Sequence, residues 1–186
     1  METPPDTLAR PRIYLAGPDV FRPDARAHFI RLGAACEAAG LAPLLPADGN
    51  EDTGAQPPEQ RIYEANMQRL RSADGVAANL ACFRGLEPDS GTVFEVGAAV
   101  ALGLPVVAYG VPEGSYAARA QAALPCEKDP LGVLRERGSG IAVEDFGQPL
   151  NLMLACSIHI APTPEAALRT MAGLLAARRA PEAGKP

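Results

Sequence analysis

The stretch Asp74–Tyr109, "DGVAANLACFRGLEPDSGTVFEVGAAVALGLPVVAY", decides the fold. It opens on a β-like run, "DGVAANLA", and passes through a loop rich in turn formers. A long stretch of small and apolar residues follows, and then a second β-like run, "PVVAY". The middle is long enough for a helix. Strand, helix and strand in this order imply parallel pairing through a right-handed crossover, and hence a sheet covered on both faces.

The same alternation continues outward. "RIYLAG" (Arg12–Gly17) reads as a strand ending in a glycine-proline turn, and Asp24–Ala39 places Phe29, Leu32, Cys36 and Ala39 on one helical face. "LAPLLP" (41–46) is a further strand. Ala47–Pro58 has no apolar period and has the length of a lid or specificity loop. Glu59–Ser72 is helical, with Tyr63, Met67 and Leu70 sharing a face. Beyond Gly110 the pattern weakens, and Val111–Gly147 reads as an excursion with one short helix around Tyr116–Leu124. "PLNLMLA" (149–155) is helical and "SIHIA" (157–161) is a short strand. Thr163-Pro164-Glu165 starts a last helix with a hydroxyl cap and a proline in its first turn. Residues 1–12 read as a flexible arm and 179–186 as a flexible tail, leaving 13–178 as one α/β domain.

With 186 residues, 47% of them hydrophobic, the chain can bury a sizeable core. Its net charge of −5, without a basic block, argues against nucleic acid or an anionic membrane surface as partner. The four cysteines form no CxxC pair, and no secretory leader is evident, so a cytoplasmic protein with reduced thiols is expected. His28 and His159 have no second ligand at metal spacing, and the glycines form neither GxGxxG nor a P-loop. No metal or cofactor is expected.

In a parallel sheet ligands bind beyond the carboxyl ends of the strands. That rule points to the loops after Ala16, Pro46, Asn79 and Tyr109, and so to Glu95, the carboxylate in the apolar helix. Thr92-Val93-Phe94-Glu95 fits a capping box, in which the glutamate serves only a backbone amide. Against that stand Gly91, Gly97, Ala98 and Ala99, which leave room for the sheet or a ligand, and Asp89, a second carboxylate at the helix mouth. An ionised carboxylate so placed can attack the anomeric carbon of a sugar and hold it as an ester until an acceptor arrives.

Four ordered blocks, "IYLAGPDVF" (13–21), "ADGVAANLACFRG" (73–85), "EPDSGTVFEVGAAVALGLPVVAY" (87–109) and "PLNLMLA" (149–155), resemble the nucleoside 2-deoxyribosyltransferase family. The resemblance implies a flavodoxin-like three-layer sandwich with a five-stranded parallel sheet. It implies transfer of 2-deoxyribosyl groups between nucleobases, with Glu95 as the nucleophile and Tyr14 orienting it. Asp74 would face the nucleobase and aid proton delivery, and Asp89 would meet the 5′ end of the sugar. Asn151 and Met153 would come from a neighbouring subunit, so the site would be shared within a homo-oligomer. Phe21, and Gly17 at the end of the first strand, would line the substrate pocket. The partners implied are 2′-deoxyribonucleosides and free nucleobases.

Read without the family, each of these residues has a structural alternative. Tyr14, Phe21 and Met153 suit a core, Asp74 a turn, and Asp89 and Asn151 helix starts. Two functional alternatives stay open: an N-glycosidase acting on deoxynucleosides or their monophosphates, and a non-catalytic nucleotide-binding or signalling module.

Overall fold

The computed structural model describes residues 9–46 and 56–179. The elements follow as β1 (Arg12–Ala16), a 3₁₀ turn (Pro18–Phe21), α1 (Ala25–Ala38), β2 (Ala42–Leu44), α2 (Pro58–Arg71), β3 (Gly75–Asn79) and α3 (Ser90–Ala101). Then come β4 (Val106–Tyr109), α4 (Tyr116–Ala123), β5 (Cys126–Lys128), β6 (Leu134–Glu136), α5 (Leu152–Ala155), β7 (His159–Ile160) and α6 (Pro164–Arg179). Most of the expected lid, of the expected arm and of the expected tail lies outside the described residues.

Five strands pair in parallel in the order β2-β1-β3-β4-β7. Because side chains alternate across a strand, each central strand feeds two cores. Tyr14, Val76, Ala78, Val106 and Ala108 face one side and pack with Met67 and Leu70 of α2, Val96 and Ala99 of α3, and Leu154 of α5. Ile13, Leu15, Ala77, Val107 and Tyr109 face the other, against Leu32 and Cys36 of α1 and Leu168 and Met171 of α6. The result is the flavodoxin-like three-layer α/β sandwich. The apolar faces expected from helical spacing hold for α1. On α2, Met67 and Leu70 are buried, whereas Tyr63 lies exposed with its ring 6.3 Å from that of Phe94.

Thr163 caps α6 as expected, its hydroxyl accepting from the Ala166 amide at 3.1 Å. The excursion 111–147 contains more than the one expected helix. β5 and β6 form an antiparallel hairpin, over a small core of Ala117, Ala120, Leu134 and Val143. Strands of three residues carrying Glu127, Lys128, Arg135 and Glu136 are too short and too charged to show a period of two. Among the described residues no helix is long and apolar enough to cross a membrane.

Candidate active site

α3 starts one turn earlier than the capping-box pattern suggests. Asp89, not Thr92, is its N-cap, and Asp89 Oδ2 accepts from the Thr92 amide at 2.9 Å and from the Thr92 hydroxyl at 3.0 Å. With the helix end satisfied by Asp89, Glu95 is not the capping partner. Thr92, Val96 and Ala99 turn into the sheet, while Glu95 lies half-buried on the flank of that face. Of the small residues in this helix, Ala99 makes the close approach to the sheet. Gly97 is exposed, and a Cβ there would meet nothing within 4 Å.

Glu95 is tied to the sheet instead. The hydroxyl of Tyr14, a fully buried residue in the middle of β1, donates to Glu95 Oε1 at 2.6 Å. This is the short, charge-assisted bond of a phenol to a carboxylate, and it fixes one oxygen. Burial raises the Glu95 pKa above its ordinary value; the Tyr14 hydrogen bond works against that rise and the charge of Asp89 adds to it. Burial and the Glu95 carboxylate push the Tyr14 hydroxyl well above an ordinary phenol, so tyrosine keeps its proton and remains the donor. Arg69 on α2 is a nearby positive charge that partly offsets this.

Glu95 opens into a cavity of about 190 Å³ lined by Gly17, Val20, Phe21, Pro46, Ile62 and Asn66, and by Asp89, Gly91 and Thr92 at the start of α3. The lining thus comes from the turn after β1, the end of β2, α2 and the start of α3, at the carboxyl edge expected from the parallel sheet. Gly17 is required by close approach. A Cβ there would come within 2.8 Å of both Asn79 Cβ and Asp19 Oδ2. Those two side chains form a clamp: Asn79 Nδ2, at the end of β3, donates to both Asp19 oxygens at 3.1 Å. Asp19 is buried, and His28 Nε2 of α1 lies 3.3 Å from its Oδ1.

The structure therefore gathers Glu95, Tyr14, Asp89, Phe21 and Gly17 and leaves three expected residues elsewhere. Asp74 needs correction. It precedes β3, at the amino edge of the sheet, and its Oδ2 accepts from the Arg12 amide at 2.7 Å. The strand register puts it at the end away from the cavity, so it cannot face a base bound there. Asn151 caps the short helix α5, its Oδ1 accepting from the Met153 amide at 3.0 Å and its Nδ2 donating to Glu144 at 2.9 Å. Asn151 and the exposed Met153 line a separate, larger cavity of about 650 Å³, beside the outer face of α3.

Three residues escaped the sequence reading: Asn66, Asp19 and Asn79. Asn66 follows Ile62 by four, so the two share the stripe that α2 turns to the cavity, a stripe beside the apolar face of Met67 and Leu70. Asp19 stands in the turn after β1 and Asn79 at the last position of β3, beside the places named by the carboxyl-edge rule. The signal was there, but nothing in the spacing says that the two side chains meet.

Residues 13–153 match the family model described as nucleoside 2-deoxyribosyltransferase. Among solved structures, the chain is similar to the 2-desoxiribosyltransferase from Leishmania mexicana, with 32% identity, a TM-score of 0.70, and coverage of 88% of this chain and 97% of that one. A conserved protein from Enterococcus faecalis, 20% identical with a TM-score of 0.56 over 89% of this chain and 99% of that one, shares the fold. An uncharacterized protein of Schizosaccharomyces pombe is 34% identical over 104 residues, 53% of this chain and 49% of that protein. The chain spans about half the length of that curated relative. Taken with the parallel sheet and the carboxylate at its edge, the match over most of the chain shows that it belongs to the nucleoside 2-deoxyribosyltransferase family.

Proposed function

We propose that the chain transfers 2-deoxyribosyl groups between nucleobases in nucleoside salvage, through an ester on Glu95. The single observation that carries this reading is the 2.6 Å bond from Tyr14 to Glu95 at the wall of the cavity. One carboxylate oxygen is held, and the other is left to attack. A Glu95 oxygen bonds to C1′, the C1′–N bond breaks, and its electron pair leaves with the base, which takes up a proton. A nitrogen of a second base then bonds to C1′ from the vacated side, the ester C–O bond breaks, and the carboxylate is restored as that base gives up its proton. Two displacements return the starting configuration.

Asn66 faces the same cavity, and a carboxamide has no acidic proton to deliver. Proton transfer to the leaving base therefore goes through solvent in this scheme. Asp89 spends Oδ2 on Thr92, which leaves Oδ1 for the 5′-hydroxyl. A 5′-phosphate about 4 Å from an ionised Asp89 would cost about 4 kcal/mol per charge pair at an effective dielectric near 20. Nucleosides are thus preferred over their monophosphates.

The apolar cavity beside α3 and α5, with Val93, Val96, Val100 and Met153 in its wall, is where a second copy seats. That copy brings its own Asn151 and Met153 to the edge of the first copy's site, making a homo-oligomer.

The test is incubation with one 2′-deoxynucleoside, with and without a second base, followed by mass spectrometry of the protein. Exchange that depends on the second base, together with a deoxyribosyl adduct on Glu95, is the expected result. Release of free base at the same rate without acceptor would establish a hydrolase instead. No turnover in either arm would leave a binding module.

A further inference from the structure

Phe21 is the aromatic face of the cavity, yet its side chain is 62% exposed, so core packing does little to fix it. What meets it is the loop after β3. The Phe83 ring stacks on the Phe21 ring with centroids 5.4 Å apart and planes inclined by 25°. The Arg84 guanidinium lies over both, 4.7 Å from the Phe83 centroid and 5.7 Å from that of Phe21. Among the described residues Arg84 is the one non-glycine residue with positive φ, at 55°. A left-handed arginine is unfavourable, so the loop holds it there. The Phe83 amide donates to the Glu87 carbonyl at 2.9 Å and the Cys82 thiol to the Leu86 carbonyl at 3.2 Å, closing the loop around Arg84 and Gly85. Among the described residues no carboxylate pairs with Arg84, so ring faces are what its charge meets.

The two loops so joined follow β1 and β3, the neighbouring strands at which the sheet order reverses, and the substrate crevice of such a sheet opens between them. We propose that Arg84 is a positioning residue for the base-binding wall, its guanidinium clamping Phe83 and Phe21 into one rigid surface on which the nucleobase stacks. This rests on the cavity being the base site. It does not require that the bound base be exchanged. Fixing Phe21 before the ligand arrives removes the ordering cost that a mobile ring would levy on binding.

The test is calorimetric titration of the native chain and of Arg84→Gly, Arg84→Lys, Phe21→Ala and the Arg84→Gly/Phe21→Ala double variant with free adenine and free cytosine. Thermal unfolding is run on each. Glycine accepts the positive φ without strain, so Arg84→Gly is expected to unfold no earlier than the native chain. Its affinity for the bases is expected to fall about twofold to tenfold, the cost of ordering on binding a ring that Arg84 no longer holds. Arg84→Lys should restore part of that loss, and the double variant should bind no worse than Phe21→Ala alone. Native affinity in Arg84→Gly, additive losses in the double variant, or no binding of either base to the native chain would each overturn the proposal. Exchange is assayed in parallel. Base binding with the expected pattern but without exchange would sink the transferase reading and leave the clamp standing.

Discussion

Glu95 holds its proton more tightly in the folded chain than glutamate does in water, because burial and Asp89 outweigh the Tyr14 hydrogen bond. The folded state therefore binds more protons than the unfolded state between the ordinary glutamate pKa of 4.5 and the raised value. Across that window stability falls as pH rises, and above it the cost of a buried charge is present in full. Glu95→Gln keeps an acceptor for Tyr14 and removes the charge. It is expected to unfold no earlier than the native chain at neutral pH, and to lose exchange by several orders of magnitude, as a scan of melting temperature and rate against pH would show. In the native chain the acid limb of kcat/KM should lie above the ordinary glutamate value. Asp89 invites a second substitution. Asp89→Asn keeps a capping side chain at the start of α3 but removes the negative charge. Use of 5′-monophosphates relative to nucleosides is expected to rise at least tenfold, measured as the ratio of kcat/KM values, with little change in melting temperature. Asp89→Ala would in addition cost about 1 kcal/mol of stability through the lost cap.

Each element brings one edge of the site, and its legibility in the sequence depended on how local its signal was. α3 was readable because its apolar run and the acidic residues at its start lie side by side, although the capping residue was misplaced by three positions: both Asp89 and Thr92 suit a helix start, and only the backbone settles which one caps. β1 was readable, and so was Tyr14 within it, but that its hydroxyl reaches Glu95 across 81 positions of sequence is a fact of strand register and helix crossing. Asp74 shows the opposite failure. It is near β3, but it precedes the strand, and a parallel strand carries its ligands at the other end. Asp74→Ala is expected to leave kcat/KM within about twofold of native and to cost at most about 1 kcal/mol of stability, from the lost bond to the Arg12 amide. A loss of turnover beyond tenfold, with the fold intact by circular dichroism, would return Asp74 to the chemistry. The β5–β6 hairpin stayed invisible because three-residue strands carry too few positions to establish a period.

At the scale of the whole molecule, Glu95 and Asn151 line different cavities of one chain. If a second copy completes the site, subunits carrying Glu95→Gln and subunits carrying Asn151→Ala should rescue each other. A mixed two-fold dimer holds one site with both native side chains, so equal mixing should restore about a quarter of native exchange, from two nearly inactive parents. Mixing that restores nothing, in an assembly that light scattering shows to be oligomeric, would confine the site to a single chain. The sheet also constrains how such copies can meet. Its outermost strands are β2, with three residues, and β7, with two, so either rim exposes only a few free amides and carbonyls. Rims that short give a foreign strand almost nothing to zip onto, which protects against fibre-like stacking and leaves the flanks of the helices as the surfaces open to a second copy.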